Sequence, residues 1–290
     1  MALYRSLMFV PGNQPRRIEK IPDIPADAFI LDLEDSVPFA EKESALQLVC
    51  ETLRRYPQKR KMVRVNNIYS SFFVREIEKI VCESVSLEGI VLPKTERRDD
   101  LLIADYLLTH WERKKGLAAG SIEMMPLIES AAGVQHAYEI ASAVPRVKRL
   151  AFGTVDFILD IQAEATEAAA ETFMARSQLV IASRAAGIEP PIDTVYIRIK
   201  DGEGLRRSAQ AAKQLGFQGK LLLHPDQVPV VHGVFAISAK EAKEARRIVE
   251  AFREAERAGL AAVQLDGNMI DTPVVERAKR ILERAGEGDA

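Results

Sequence analysis

Met124-Met125-Pro126-Leu127-Ile128-Glu129 is a run of apolar residues that ends in a carboxylate. A short run that is apolar on both faces is typical of a strand buried in a parallel sheet. A second run, Leu150-Ala151-Phe152-Gly153, is followed closely by Asp156. Because a buried carboxylate costs several kcal/mol unless it is paired or binds a metal, the two acidic residues indicate a cation site at strand ends.

Strand-length apolar runs recur along the chain, and helix-compatible segments separate most of them. About eight such runs can be counted, and they occupy residues 6–10, 28–33, 62–65, 89–92, 124–128, 149–152, 194–197 and 221–223. This alternation is typical of an α/β protein, either a (β/α)8 TIM barrel or a doubly wound open sheet. We favour the barrel because polar residues follow many of the runs, where barrel active sites form.

Composition excludes several classes of protein. The 290 residues are 47% apolar and 28% charged, which is ample for a sizeable core. With 40 basic and 42 acidic side chains, the net charge of -2 gives no bias toward nucleic acid or an anionic membrane. Cys50 and Cys82 are too few for a disulfide framework. No apolar stretch approaches the roughly 18 residues that span a bilayer. We therefore expect a cytoplasmic protein with neither nucleic acid nor membrane as a partner.

The character of the sequence changes after His224-Pro225. Residues 238–258 carry charged helical periodicity, and Ser238 and Glu241 have the spacing of a capping box. Thr272-Pro273 resembles an N-cap followed by proline at the first helical position, which predicts a last helix to about Arg284. We expect a catalytic barrel over residues 1–235, with residues 236–290 as a helical appendage that packs on the barrel or on a neighbouring subunit.

Glu129 and Asp156 are the candidate metal ligands. Two carboxylates that leave positions open for water and substrate match Mg²⁺, which rarely has an all-protein cage. In the alternative, Glu129 caps the following helix and Asp156 pairs with a nearby base. Gly133 and Gly153 favour the metal site, because glycine lets the backbone approach a ligand.

Arg64 ends an apolar strand run, so its guanidinium should point into the sheet end. Such an arginine suits binding of a carboxylate, or stabilisation of charge on a developing enolate oxygen. It can equally be a structural partner for Asp32, Glu34 or Asp35, and both roles are compatible. Residues 32–36, Asp-Leu-Glu-Asp-Ser, form an acidic segment that is too dense to stand bare in a barrel mouth. It needs arginine, lysine or metal-bound water nearby.

Three further residues have two interpretations each. Lys94 has the position of a Schiff-base lysine, but an ion pair with the acidic segment is at least as good, and we expect no covalent catalysis. His224, next to a proline, is more often a structural hydrogen-bonding residue than a base. Asp271 precedes Thr272-Pro273 and either stabilises a helix N-terminus or reaches a barrel mouth on another subunit. Spacing alone does not decide between these two roles.

The motifs, taken in order, resemble the citrate lyase beta subunit family of CoA-ester carbon–carbon lyases. The matching stretches cover most of the chain and are Arg5-Ser6-Leu7-Met8-Phe9-Val10-Pro11-Gly12-Asn13, Leu31-Asp32-Leu33-Glu34-Asp35-Ser36-Val37, Val63-Arg64-Val65-Asn66, Leu92-Pro93-Lys94, Ile128-Glu129, Phe152-Gly153 with Asp156, and Gly267-Asn268-Met269-Ile270-Asp271 with Pro273. Within the family, Asp193-Thr194-Val195-Tyr196 and Gly216-Phe217-Gln218-Gly219-Lys220 look more like the stand-alone citramalyl-CoA and malyl-CoA lyases.

The resemblance implies a (β/α)8 barrel with Mg²⁺ on Glu129 and Asp156 and substrate bound by Arg64. It also implies that Asp271 reaches the active site of a neighbouring subunit in a homotrimer or a multiple of trimers. Glu129, Glu34, Asp35 and Lys94 complete the expected substrate surroundings. One departure is in the helix after the acidic segment, where the family usually has arginine and this chain reads Lys42-Glu43-Ser44-Ala45-Leu46, and this puts a peripheral ion pair in doubt.

The implied reaction is the cleavage of a 3-hydroxyacyl-CoA into an α-keto acid and an acyl-CoA enolate. Arg64 would stabilise the enolate oxygen, and Asp271 would protonate the enolate carbon. The CoA thioester is anionic, and candidate contacts near the first loop are Arg5, Arg16, Arg17 and Lys20. Two alternatives stay open: a class II metal-dependent aldolase acting on free hydroxy-keto acids, and a non-catalytic citrate lyase-like subunit.

Overall fold

Eight parallel strands close into a barrel within residues 4–286, the part of the chain that the computed structural model describes. They are β1 (Ser6–Pro11), β2 (Ala28–Asp32), β3 (Lys61–Arg64), β4 (Gly89–Leu92), β5 (Glu123–Ile128), β6 (Ala151–Phe152), β7 (Ile192–Asp193) and β8 (Gly219–Leu222). The strands follow chain order around the barrel, and β8 pairs in parallel with β1. This closing pair confirms the predicted barrel and rules out the open sheet.

Helices connect successive strands and cover the outside of the barrel. They are α1 (Pro15–Ile18), α2 (Lys42–Arg55), α3 (Phe73–Glu83), α4 (Arg98–Lys115), α5 (Ala131–Gln135), α6 (Ala137–Ala141), α7 (Thr154–Asp160), α8 (Phe173–Ala185), α9 (Gly202–Leu215) and α10 (Gln227–Phe235). Short 3₁₀ turns occur at Ile21–Asp23, Phe39–Glu41 and Ala170–Thr172. No helix within residues 4–286 has the length and apolarity that crossing a bilayer requires.

The strands are apolar on both faces because each face packs against a different core. Ile30 belongs to a cluster made almost entirely of strand residues, which fills the barrel interior. Its neighbours Phe29 and Leu31 belong to a larger cluster that includes helix residues such as Leu53 and Ile77. Because successive strand side chains point to opposite faces, continuous apolar runs are what a barrel strand requires.

The seventh strand is not where the sequence predicts it. Residues 194–197 follow β7 instead of forming it, so that prediction is wrong by two residues. The polar groups of this stretch bond to side chains: Thr194 Oγ1 accepts from the Thr154 N–H at 3.0 Å, and the Tyr196 carbonyl accepts from Gln227 at 2.8 Å. The strand ladder ends at Asp193, which pairs with Lys220 of β8.

The described residues from 236 to 286 form a second compact unit. Its described part contains α11 (Ala239–Arg257), the antiparallel strands β9 (Val263–Leu265) and β10 (Asn268–Ile270), and α12 (Thr272–Arg284). The predicted capping box is confirmed, because Ser238 Oγ accepts from the Glu241 N–H at 3.1 Å and the Glu241 side chain accepts from the Ser238 N–H at 2.8 Å. How this unit packs on the barrel or on a neighbouring subunit stays a prediction.

Two local features of this unit differ from expectation. Asp271, not Thr272, is the N-cap of α12, although a proline does occupy the first turn. The β9–β10 hairpin was not predicted, yet its turn residues Asp266 and Gly267 have positive φ values of 51° and 81°. Asp-Gly is a typical sequence for this kind of two-residue turn, so the signal was present in the sequence.

Candidate active site

The carboxyl ends of neighbouring strands bring the predicted polar residues together. Arg64 ends β3, and Asp32, the first residue of the acidic segment, ends β2 directly opposite it in the strand register. Lys94 follows β4, Glu129 follows β5, and Asp156 lies in the first turn of α7 after β6. Because β2 to β6 are consecutive around the barrel, these side chains share one side of its mouth.

The guanidinium of Arg64 is fixed on two sides. Its Nε and Nη2 donate to Asp32 Oδ1 and Oδ2 at 2.7 and 2.8 Å, and its Nη1 lies 3.0 Å from Glu34 Oε2. The Phe9 ring lies 4.9 Å from the guanidinium carbon. Arg64 is therefore a structural partner of the acidic segment, as one of the two interpretations expected. The bidentate clamp also holds it in a single orientation, which a role in charge stabilisation requires.

The pKa values of the two buried carboxylates in the acidic segment are shifted in opposite directions. Burial alone would raise the pKa of Asp32, but the Arg64 guanidinium and hydrogen bonds from the Ser36 side chain and the Glu34 N–H hold it below its usual value. Burial raises the pKa of Glu34, and this outweighs the opposing effects of Arg64 and Lys94. Of the two, Glu34 is therefore the more readily protonated.

Lys94 links the acidic segment to Glu129. Its Nζ donates to Glu34 Oε1 at 2.8 Å, and its backbone N–H donates to Glu129 Oε1 at 2.7 Å. Although burial lowers the pKa of Lys94, the hydrogen bond and charge of Glu34 raise it well above the usual value. A Schiff-base lysine needs a lowered pKa to supply the neutral amine. The ion-pair interpretation of Lys94 is therefore the one that the structure favours.

Glu129 is buried, with 4% of its surface exposed. Burial and the nearby charge of Asp156 together raise its pKa to about 8, against the opposing effect of the Lys94 N–H. Glu129 does not cap the following helix, because Ser130 is the N-cap of α5 and accepts from the Gly133 N–H at 3.1 Å. The capping alternative for Glu129 is therefore wrong.

Gly133 and Gly153 are in close contact with other atoms of the protein. A Cβ on Gly153 would lie 2.7 Å from Glu129 Oε2, and a Cβ on Gly133 would lie 2.7 Å from the Thr95 carbonyl oxygen. The two glycines therefore admit neighbouring protein atoms and not, as predicted, a ligand. Gly153 still serves the site, because its missing side chain lets β6 approach the Glu129 carboxylate.

The donor set fits a magnesium ion. Glu129 and Asp156 raise each other's energy when both are ionised, and a bound cation relieves this repulsion. Within residues 4–286, no group of three His, Cys, Asp or Glu side chains is arranged to hold a metal. Water and substrate would therefore supply the remaining ligands, which is the usual arrangement for Mg²⁺.

The candidate CoA contacts do not lie together. Arg16, Arg17 and Lys20 are exposed on or just after α1, which follows the carboxyl end of β1. Arg5 precedes β1, at the opposite end of the barrel, and its guanidinium donates to Asp27 at 2.7 and 3.0 Å. Arg5 therefore does not belong with the other three candidates. They were grouped because they are close in sequence, but they lie at opposite ends of β1.

The remaining two candidates have local partners. The Asp226 N–H donates to His224 Nδ1 at 3.3 Å, in keeping with a structural role for the histidine. The Asp271 carboxylate accepts from the Val274 N–H at 3.4 Å as the N-cap of α12. This contact agrees with the helix-terminus interpretation and leaves a catalytic role for Asp271 as a prediction.

Sequence reasoning missed one participant. Lys42 lies in the stretch whose missing arginine put a peripheral ion pair in doubt, but it is buried and donates to the Leu33 and Glu34 carbonyls at 2.7 and 2.6 Å. The burial of Lys42 could not be predicted, because a lysine in the first turn of a charged helix has no sequence signal that distinguishes a buried position from a solvated one.

Two family models match the chain. The model described as HpcH/HpaI aldolase/citrate lyase matches residues 5–225, and a C-C bond lyase of the TIM-barrel fold matches residues 172–287. Citrate lyase subunit beta of Haemophilus influenzae is 39% identical over 290 residues, which cover 99% of each chain. Mitochondrial citramalyl-CoA lyase of Homo sapiens is 30% identical over 292 residues, which cover 97% of this chain and 85% of that protein.

Solved structures with the same fold extend the comparison. CitE of Mycobacterium tuberculosis, in complex with magnesium, acetoacetate and coenzyme A, is 29% identical, with a TM-score of 0.81 over 99% of each chain. The citrate lyase beta subunit of the same organism, complexed with oxaloacetate and magnesium, is 27% identical. That match has a TM-score of 0.67 and covers 81% of this chain and 97% of the other.

Proposed function

The chain belongs to the HpcH/HpaI aldolase/citrate lyase family, and from this premise we propose that it is a Mg²⁺-dependent carbon–carbon lyase acting on CoA thioesters. Its substrate is a 3-hydroxyacyl-CoA of the citramalyl-CoA, malyl-CoA or citryl-CoA type, which it cleaves into an acyl-CoA and an α-keto acid or forms by the reverse condensation. The observation that carries the proposal is the linked mouth cluster, in which Lys94 joins the candidate metal ligand Glu129 to Glu34 beside Arg64.

Glu129 and Asp156 are the residues that would hold Mg²⁺. When bound there, the ion polarises the substrate oxygen that becomes the keto-acid carbonyl. The Lys94 N–H fixes Oε1 of Glu129, and the open space over Gly153 accommodates Oε2. These contacts orient the carboxylate before any ligand arrives, which is the support that a metal ligand requires.

Arg64 acts on the charge that develops in cleavage. The substrate hydroxyl gives its proton to water and becomes the keto-acid carbonyl as the carbon–carbon bond breaks, and the electron pair of that bond moves onto the thioester enolate. The Arg64 guanidinium, held by Asp32, donates to the enolate oxygen. Lys94 attracts the substrate carboxylate, and Glu34 and Asp35, which pair with its ammonium at 2.8 and 3.5 Å, hold it in place and complete the surroundings of the substrate.

Asp271 supplies the last proton in this proposal. It protonates the enolate carbon, or removes that proton in the condensation direction, from a neighbouring subunit of a homotrimer. The support is its position in the family-like stretch 267–271 and its carboxylate at the start of α12. Arg16, Arg17 and Lys20 remain the candidate contacts for the CoA phosphates, and a cytoplasmic location remains part of the proposal.

A second candidate is a citrate lyase subunit that acts within a complex. The identity to citrate lyase subunit beta exceeds the identity to citramalyl-CoA lyase, so it does not favour the stand-alone lyases that the motifs suggested. In this candidate a partner protein carries the citryl thioester in place of CoA. Cleavage of free hydroxy-keto acids would instead mark the class II aldolase alternative.

Product analysis by mass spectrometry tests the proposal. The purified chain is incubated with citramalyl-CoA, malyl-CoA and citryl-CoA, each with Mg²⁺ and with a chelator. We expect metal-dependent release of acetyl-CoA with pyruvate, glyoxylate or oxaloacetate, respectively, and the productive substrate identifies the acyl group. If none of the three is cleaved but a free hydroxy-keto acid is, the chain is an aldolase; if neither class is cleaved, the subunit candidate replaces the proposal.

A further inference from the structure

A buried lysine lies beneath the acidic segment. Lys42, in the first turn of α2, has 9% of its surface exposed, and its Nζ donates to the carbonyls of Leu33 and Glu34. These two carbonyls lie just beyond the end of β2, where strand pairing no longer satisfies them. The Glu34 carbonyl also accepts from the Val37 N–H at 3.1 Å, and the charged lysine adds a stronger donor to both carbonyls, which fixes the backbone of this segment.

A second side chain, from the segment after β3, binds the same Leu33 carbonyl. Asn66 Nδ2 also donates to the Leu33 carbonyl, at 2.9 Å, and Asn66 lies two residues beyond Arg64. Glu76 of α3 accepts from both the backbone N–H and the side-chain amide of Asn66. Both residues are buried. The Leu33 carbonyl is therefore the point at which the segments after β2 and β3 are tied together.

This support reaches Arg64 through the acidic segment. The residues on either side of Leu33 are Asp32, which clamps the guanidinium, and Glu34, which lies against its third nitrogen. A shift of the Leu33–Glu34 backbone therefore moves both acidic partners of Arg64 at once. Lys42 itself contacts backbone carbonyls beneath the segment, so it acts through these residues and not on substrate.

We propose that Lys42 is a positioning residue for the lyase reaction. By holding the Leu33 and Glu34 carbonyls, it keeps the Asp32 carboxylate, and through it the Arg64 guanidinium, in the orientation that stabilises the enolate. The inference rests on the proposed function, because it assigns Lys42 a part in the same site. The orientation of the Arg64 side chain, which the inference predicts, can be measured without following the reaction.

The test compares three variants. Lys42→Met removes the donors and keeps most of the side-chain volume, and Lys42→Arg restores donors. Lys61→Met is the matched control, because Lys61 is also buried and donates to two backbone carbonyls, those of Tyr56 and Lys59, at the amino end of β3. Thermal unfolding of each variant establishes how much stability it loses.

We expect Lys42→Met to lower kcat about 10- to 100-fold with KM changed less than about threefold, as for a misplaced transition-state contact. Lys42→Arg should recover most of the rate. Lys61→Met should lose stability but keep kcat within about twofold, because its carbonyls are far from the mouth. In an Arg64→Lys background, Lys42→Met should lower kcat by less than a further factor of about three, since both residues act on the contact between residue 64 and the enolate. Equal kcat values for Lys42→Met and Lys61→Met, or full additivity with Arg64→Lys, would overturn the inference.

A nuclear magnetic resonance experiment separates this inference from the proposed function. The Nε–H signal of Arg64, identified by its loss in Arg64→Lys, should be protected from solvent exchange in the wild type and in Lys61→Met, and exposed in Lys42→Met. An unchanged signal in Lys42→Met would contradict the positioning role. An altered signal in a chain that cleaves none of the thioesters would leave the positioning of Arg64 standing and refute the lyase proposal alone.

Discussion

Arg64 combines a structural and a chemical role in one side chain. Two of its nitrogens are bound by Asp32, and the strand register sets these two residues opposite each other. Lysine cannot reproduce this fork, because its ammonium is a single point charge. The identity of the residue, and not only its charge, therefore matters at the end of β3.

Arg64→Lys should lower kcat about 10²- to 10³-fold, the usual cost of losing a positioned donor at a developing oxyanion. Steady-state kinetics with the productive thioester measures it. Arg60→Lys is the control, because Arg60 makes a comparable pair with Glu88 just before the amino end of β3. A similar loss of rate in both variants would show that the effect comes from folding and not from the site.

Asp271 has a capping role that can be separated from a catalytic one. Asparagine caps helices as well as aspartate does, whereas alanine costs about 1 kcal/mol. Asp271→Asn should therefore keep the melting temperature and Mg²⁺ binding and abolish turnover, because an amide cannot transfer the proton. Asp271→Ala should lose stability as well. Near-normal turnover of Asp271→Asn would remove Asp271 from the mechanism.

Glu76 makes a pH-dependent contribution to stability. Burial, opposed by the hydrogen bonds from Asn66 and the charge of Lys42, raises its pKa from 4.5 to about 7. The folded state thus holds this proton more tightly than the unfolded state. The stability that Glu76 contributes is complete below pH 4.5 and is lost as the pH rises through about 7.

The Glu76→Gln variant lacks this titration. The unfolding free energy of the wild type minus that of the variant should fall by a few kcal/mol between about pH 4.5 and pH 7, as the size of the pKa shift implies. Denaturant unfolding at a series of pH values measures the difference. Glu78→Gln, on the exposed face of the same helix, should give no such trend. A pH-independent difference for Glu76→Gln would contradict the prediction.

At the scale of elements, the approach of β6 to β5 determines the geometry of the candidate metal site. Gly153 follows β6, and its N–H donates to the Ile128 carbonyl at 2.9 Å, which brings it against Glu129. A side chain at this position would occupy the space of the Glu129 carboxylate. The site therefore depends on one residue that offers no ligand atom.

Gly153→Ala should lower Mg²⁺ affinity at least about tenfold, because the Glu129 carboxylate must move and its Lys94 contact is lost. Isothermal calorimetry measures the affinity without substrate. Gly202→Ala, at the start of α9, is the control, since an added Cβ meets no atom within 4 Å there. If Gly153→Ala binds Mg²⁺ as the wild type does, Glu129 is not a metal ligand.

At the scale of the whole molecule, the proposed trimer makes a distinct prediction. If each site takes Arg64 from one subunit and Asp271 from a neighbour, Arg64→Lys and Asp271→Asn are defective in different halves of the site. Subunits mixed at random in equal amounts should then recover about a quarter of the wild-type rate, since a quarter of the sites receive two intact residues.

Coexpression of the two variants, followed by kinetics and by measurement of the oligomer mass, provides this test. Each variant expressed alone is the control and should stay near its own low rate. No recovery in a mixed oligomer would mean that both residues serve the same subunit, or that Asp271 does not act in the site.

The sequence by itself determined the alternation of strands and helices, and it predicted the barrel and most of the candidate site. The apolar runs also fit an open sheet, but the polar residues that follow them favoured the barrel, and the closing pair of β8 with β1 confirms it. Arg64, Lys94 and Glu129 were identifiable because a polar residue directly after a buried strand has to lie at the barrel mouth. The capping box at Ser238 was also predicted correctly, because it is a local pattern of two residues three positions apart.

Only the tertiary structure decided which of these groups touch one another. The clamp of Asp32 on Arg64, the double contact of Lys94 and the burial of Lys42 join residues that lie on different elements, and a linear pattern holds no record of such distances. Arg5 shows the converse, because residues adjacent in sequence lie at opposite ends of one strand. Periodicity determines which face a residue occupies, whereas its partners and its charge depend on how neighbouring strands and helices pack.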